Sequence, residues 1–170
     1  MGQQKASVDI PGWFQWVDQL IFKAVLKAQS NLPPATVVEL GTYLGKSAVL
    51  IGDYVRQGEQ FVALDLFGRT DLIDGSGDAN RREVSISYKT LTRTKFEENY
   101  LSRHEELPTI VEAASSSIVD YIQPSTVRFL HVDASHMYEH VRIDARNARI
   151  LLQPDRLPVE GGAGLGGQLG

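Results

Sequence analysis

From Trp13 to Ala28 the apolar residues Trp13, Phe14, Trp16, Val17, Leu20, Ile21, Ala24, Val25 and Ala28 recur at three- and four-residue steps, with Asp18, Gln19, Lys23 and Lys27 between them. That period predicts an amphipathic helix with one apolar stripe, which must end before Pro33 and Pro34 because proline cannot continue it. The stripe is expected to cover a sheet. A second subunit, and so a homo-oligomer, is its other conceivable partner.

At Thr36 the period changes. The run "TVVEL" (Thr36 to Leu40) is short, β-branched and closed by Gly41, Leu44 to Val55 reads as a helix with Val49, Leu50, Gly52 and Tyr54 on its apolar side, and "FVALDLF" (Phe61 to Phe67) reads as a second strand. Strand, helix and strand in about thirty residues make a βαβ unit and hence a parallel pair. Gly68 to Arg82 is polar and aperiodic and predicts a loop. Val84 to Arg103 predicts a helix anchored by Leu91, Phe96 and Tyr100. "LPTIVEA" is a third strand, "SSSIVDYI" opens with residues suited to cap a short helix, and Val127 to Ala134 is a fourth strand. Tyr138 to Leu152 is a last helix, with Val141, Ala145, Ala148, Ile150 and Leu151 as its buried side. Strands that keep alternating with helices predict an α/β fold: a Rossmann-like, doubly wound, mostly parallel sheet. It is incomplete at its C-terminal strands, because the rhythm then calls for a fifth strand and the chain gives "DRLPVEGGAGLGGQLG" instead. Six of the last ten residues are Gly, so Gly161 to Gly170 is expected to be disordered. Three segments result: an N-terminal helical part (1–33), a ligand-binding α/β domain (34–154) and a Gly-rich tail (155–170).

Composition narrows the partners more than the fold. With 170 residues, 42% hydrophobic and 22% charged, the chain can bury one sizeable core. A net charge of -4 gives no clustered Lys and Arg surplus for a nucleic-acid backbone or an anionic membrane, so neither is expected as the partner. Without any Cys there are no disulfides, thiolate zinc sites or Cys nucleophiles. The N-terminus lacks an apolar run after a basic start, and no stretch reaches the length of a membrane span, so a cytoplasmic location is the default.

The stretch "VVELGTYLGKS" holds the chemistry. Read from Gly41 it is Gly-x-x-x-Gly-Lys-Ser, one residue short of the loop that wraps a β-phosphate, which leaves Lys46 out of register. A nucleotide-triphosphate binder is the weaker reading, although "FLHVD" mimics a strand ending in a Mg²⁺-binding Asp. The dinucleotide fingerprint fails as well, with Tyr43 where its middle Gly belongs. Read from Glu39 it is acidic-x-Gly-x-x-x-Gly, and Asp65 ends the next strand. Two carboxylates flanking a glycine turn repel phosphates but accept hydrogen bonds from an ammonium group and from ribose hydroxyls. An adenosine compound with a cationic centre fits better.

"VVELGTYLGKSAVLIGDYV", "FVALDLF" and "RFLHVDASHMYEHVRIDARNARILLQP" resemble the first, second and fourth strand motifs of class I S-adenosylmethionine-dependent methyltransferases. They are most similar to the branch with small-molecule O-methyltransferases and cephalosporin hydroxylase-like proteins, over roughly Pro34 to Pro154. By that resemblance Glu39 and Gly41 would face the methionine part of the cofactor, Tyr43 and Ser115 would also be among the cofactor-binding residues, Gly45 would permit close helix packing and Ser47 would sit in the first helical turn. Asp65 would hold the ribose hydroxyls, with Leu66 and Phe67 beside the adenine. Where the family usually has Gly-Asp-Ser after its third strand, this chain has Ala113, Ala114 and Ser115, leaving Glu112 as the nearest acid.

"HVDASHMYEH" brings together His131, Asp133, His136, Glu139 and His140. His136-x-x-Glu139-His140 matches an inverted zinc-protease motif, but too little chain follows to supply its third ligand. His140 and Glu139 read as solvated helix residues and His131 as a satisfied polar neighbour. Asp133 and His136 lie just past a strand's carboxyl end, where open α/β sheets bind ligands. The resemblance implies Asp133 as a Mg²⁺ ligand and, with His136, as the catalytic pair near the acceptor hydroxyl. The family's two further acidic ligands have no counterpart after Pro154, and a truncation or frame change there would account for that. The implied activity is methyl transfer from S-adenosylmethionine to a small-molecule hydroxyl, with or without Mg²⁺. The alternative is an inactive, truncated binding module of the same fold.

Overall fold

The computed structural model describes residues 9–72 and 91–154. Its four strands are β1 (Thr36–Leu40), β2 (Phe61–Asp65), β3 (Thr109–Glu112) and β4 (Val127–Val132). They form one sheet in the order β3-β2-β1-β4, with every pairing parallel. The alternation of strands and helices therefore gives the Rossmann-like α/β sheet it predicts. Strands β2 and β4 stop two residues earlier than their apolar runs, since Phe67 takes a positive φ of 47° and the chain beyond Val132 turns into the loop before the last helix.

The helices are α1 (Trp16–Ala28), α2 (Lys46–Gly52), α3 (Arg93–Leu101) and α4 (Tyr138–Leu151), with a six-residue 3₁₀ helix at Ser115–Asp120 and a short one at Thr70–Leu72. Of the helix expected over Val84 to Arg103, the described residues are helical over Arg93–Leu101. Thr92 is extended (φ −134°, ψ 151°) and its hydroxyl accepts the Lys95 N–H, which caps the new first turn. Residues 84–90, most of the 68–82 loop and the whole tail after Pro154 lie outside the described residues. At the end of α4, Leu152 bridges in parallel to Val127 and Gln153 donates to the Val127 carbonyl, alongside β4 where the rhythm calls for a fifth strand.

One sheet face, with Val37, Phe61, Ala63 and Phe129, packs against α2, α3 and the Leu26 side of α1. The other, with Val38, Leu40, Val62 and Leu64, packs against Ile118, Ile122 and Leu151. Two amphipathic faces differ from expectation. In α1 Leu26 is buried and Phe22 partly buried, whereas Trp16, Leu20 and Ile21 are more than half exposed. In α4 the buried positions are Asp144, Asn147 and Leu151, whereas Val141 and Ile150 are exposed. The polar pair is inside because Asp144 accepts from the Ser115 hydroxyl at 2.9 Å and Asn147 donates to the Ser116 carbonyl at 2.9 Å, pinning the 3₁₀ helix.

At the amino ends of the strands, Arg128 forms a buried fork to Glu59 (2.6 and 2.7 Å) and also donates to Gln29 and the Tyr54 carbonyl. Among the described residues no helix is long and apolar enough to cross a membrane.

Candidate functional site

The strand order reverses direction between β1 and β4, so the chain leaves their carboxyl ends on opposite sides, the position at which open α/β sheets bind ligands. Glu39 pairs in register with Ala63 on one side and His131 on the other. Because side chains alternate along strands, Glu39, His131 and Asp65 project from the same face. The two carboxylates thus lie on adjacent strands, two residues apart in register, with the glycine loop between them.

That loop is held from both sides. Gly41 donates to the Leu64 carbonyl and Asp133 to the Leu40 carbonyl, each at 2.8 Å. Gly41, Tyr43 and Gly45 have φ of 82°, 48° and 91°. A Cβ on Gly41 would stand 2.2 Å from the Asp133 carbonyl oxygen, so the close approach of the two strand ends requires glycine. One on Gly45 would meet the Phe96 ring at 3.1 Å, which is the close helix packing expected at that position. Ser47 sits buried in the first turn of α2. Lys46 turns away from the loop and donates to the Gly12 carbonyl at 3.3 Å, while Trp13 and Tyr43 meet ring to ring at 5.5 Å.

Asp65 is nearly buried and accepts two backbone N–H groups, from Tyr43 (Oδ2, 2.8 Å) and Phe67 (Oδ1, 2.9 Å). Burial pushes its pKa up to about 6, with the Glu39 charge adding to the rise, against the pull of those N–H groups. Leu66 beside it is half-buried.

Glu39 is fully buried. Its Oε1 accepts a hydrogen bond from His131 Nδ1 at 2.8 Å, and its Oε2 is buried with no partner. Burial pulls the His131 ring down, but the bond and charge of Glu39, with Asp133 and Asp18 behind them, outweigh that and raise its pKa. His131 is therefore more than a polar neighbour. Strand alternation in "RFLHVD" sets only the face that His131 takes; its place beside Glu39 comes from the pairing of β1 with β4.

The other predicted residues are less gathered. Ser115 is half-buried, and its hydroxyl is spent on Asp144. Glu112, the acid nearest that position, faces Arg69 (3.6 Å) and Arg93 (4.0 Å). Asp133 and His136 are exposed in the loop after β4. Among the described residues no three His, Asp or Glu side chains converge to hold a metal ion, so the donor set present does not fit a Mg²⁺ site at Asp133. His140 is half-buried and bonded to the Ser135 hydroxyl at 2.9 Å, not simply solvated.

Two surface depressions lie elsewhere. One of about 370 Å³ is at the amino ends of the strands, by Thr36, Gln60 and Thr126, opposite the end where such sheets bind ligands. One of about 590 Å³ lies on α4 beside Arg142, Arg146 and Arg149.

At this end of the sheet stand a buried acceptor without a partner at Glu39, an acid at the end of β2, and a glycine turn with no room for a side chain at Gly41.

A family model described as a methyltransferase domain matches residues 38–157. Two solved structures of CalS11 are similar in fold. One, a calicheamicin methyltransferase, is 16% identical with a TM-score of 0.53, covering 84% of this chain and 62% of that one. The other, the apo form of this TDP-rhamnose 3′-O-methyltransferase, is 18% identical with a TM-score of 0.50, covering 84% and 60%. This chain spans about three-fifths of the length of those structures. No curated protein matches by sequence.

Proposed function

We propose, because this chain belongs to the methyltransferase domain family, that it binds S-adenosylmethionine at the carboxyl ends of β1 and β2 and transfers methyl to a hydroxyl of a small molecule. The observation that carries the reading is the pair of acids on one sheet face, Glu39 with an unpartnered buried oxygen and Asp65 anchored by two N–H groups, on either side of the Gly41–Gly45 turn. Bound there, the cofactor supplies an electrophilic methyl on a sulfonium centre.

The chain's own residues divide the remaining work. Glu39 Oε2 accepts from the ammonium group. Asp65, when ionised, accepts from the ribose hydroxyls. Gly41 lets the backbone approach without a side chain intervening, and Leu66 and Ser115 border the nucleoside. His136, exposed after β4, is the group to take the hydroxyl proton, with Asp133 on the same loop to orient the acceptor. In-line transfer needs alignment more than acid strength, so most of the rate comes from fixing the two reactants. An acceptor resembling the sugar hydroxyl named for CalS11 fits this exposed approach.

Calorimetric titration with S-adenosylhomocysteine tests the reading. Saturable binding that is lost in Asp65→Ala supports it, and no binding to the unaltered protein ends it.

A further inference from the structure

We propose that His131 is a positioning residue for the amino-acid end of the methyl donor: it holds Oε1 of Glu39 so that Oε2 is presented to the ligand's ammonium group. The inference rests on the reading of this end of the sheet as a donor site. It starts from a buried carboxylate only half satisfied. Glu39 is fully buried, Oε1 is engaged by His131 Nδ1 at 2.8 Å, and Oε2 has no partner. A buried acceptor left unmade costs about 1–3 kcal/mol, and a cationic donor repays it best.

The carboxylate could otherwise turn and share both oxygens with the imidazole. What prevents this is the fixed pose of the ring. Facing a carboxylate at this distance, Nδ1 must carry the proton. The ring is also wedged edge-on by Phe22 of α1, with centroids 4.8 Å apart and planes at 86°. Phe22 is itself locked by edge contacts to Phe14 at 4.9 Å and Phe129 at 5.4 Å. A chain of contacts therefore runs from α1, which lies before the family-matched segment, through Phe22 and His131 to Glu39. It gives the N-terminal helix a part in donor recognition without touching the donor.

The role separates from a merely structural one by ligand. S-adenosylhomocysteine carries the amino-acid end, and 5′-methylthioadenosine has the same nucleoside and sulfur without it. Calorimetry of both on the full chain is expected to show His131→Ala weakening S-adenosylhomocysteine about tenfold while 5′-methylthioadenosine stays within about twofold. His131→Asn, whose amide nitrogen can stand near the Nδ1 position, restores most of the loss. An equal loss for both ligands, or no loss for either, overturns the proposal. If His131→Ala does not fold, Phe22→Leu decides: a selective loss of about threefold for S-adenosylhomocysteine supports the proposal and an unselective one overturns it. Unaltered protein that binds neither ligand overturns the donor-site reading and this inference with it. Unaltered protein that binds both, with His131→Ala neutral, overturns this inference alone.

Discussion

Tyr43 donates its backbone N–H to Asp65 Oδ2 at 2.8 Å, which ties the middle of the glycine loop to the acid that ends β2. The bond makes loop shape and acid orientation one feature, and it accounts for a non-glycine residue holding φ at 48° in the loop. The burial of Asp65, working against this bond, makes the site pH-dependent. The Asp65 pKa is raised to about 6, so the folded chain keeps a proton there that the unfolded chain releases near the ordinary aspartate value of 3.8. The sign is that this contribution to stability is fully present below the unfolded value and is lost as pH rises through about 6. Ribose hydroxyls, by contrast, need the ionised form. Affinity for S-adenosylhomocysteine is therefore expected to fall on acidification through pH about 6, and the difference in pH profile between the unaltered protein and Asp65→Asn isolates this group from His131. Identical profiles would remove Asp65 from the site.

Gly41 and Gly58 have nearly the same φ, 82° and 83°, and quite different surroundings. At Gly41 a Cβ would lie 2.2 Å from the Asp133 carbonyl oxygen and 2.5 Å from Ala134 Cα, so β1 and β4 must part, whereas at Gly58 nothing lies within 4 Å. Gly58→Ala is expected to cost only the left-handed strain, about 1 kcal/mol. Gly41→Ala should cost about 3 kcal/mol or more. Urea denaturation of both variants measures the contrast, and equal losses would refute the close approach.

Strand positions were legible in the sequence because β-branched runs ended by Gly or Asp have few alternatives; β1 matches "TVVEL" residue for residue. The glycine loop and both acids were legible for the same reason, since spacing alone brings Glu39, Gly41, Gly45 and Asp65 to one sheet end. Helix faces were not. The α1 segment "WVDQLIFKAVLKA" has more apolar residues than one face holds, so periodicity selects Trp16, Leu20 and Ile21 as readily as the partly buried Phe22 and the buried Leu26. In α4 the inward face carries Asp144 and Asn147, which a hydrophobic pattern sends outward. Their burial depends on Ser115 and Ser116, partners about thirty residues away that no local rule connects. The Glu39–His131 bond spans 92 residues and needed the strand order to be seen.

The Glu59–Arg128 fork predicts how the fold resists acid. Burial alone would raise the Glu59 pKa, but hydrogen bonds from Arg128 and Arg56 and from backbone N–H groups win and lower it to about 2. Its contribution is thus present above the ordinary glutamate value of 4.5 and lost as pH falls through about 2. Arg128→Met removes the buried half of the arrangement and leaves Arg56 as the remaining cation, so the expected loss is about 3 kcal/mol at neutral pH, the lower end for breaking a buried pair. Thermal melts at pH 7 and pH 3 check this, and an unchanged Tm at pH 7 would show that the fork contributes nothing net.

Lys46 distinguishes a sulfonium nucleoside from a polyphosphate as the ligand of the loop. In a phosphate loop the lysine amine reaches the terminal phosphates, and its removal abolishes nucleotide binding. Here the amine donates to the Gly12 carbonyl at 3.3 Å, outside the turn, and the strand ends beside the loop carry Glu39 and Asp65, whose charges oppose phosphate oxygens. Lys46→Ala therefore removes one half-exposed hydrogen bond to the N-terminal segment, worth under about 1 kcal/mol, and should shift S-adenosylhomocysteine affinity by no more than about threefold. ATP with Mg²⁺ should give no saturable heat on either the unaltered protein or the variant. Saturable ATP binding that disappears in Lys46→Ala would reassign the loop to phosphate, and the two acids with it.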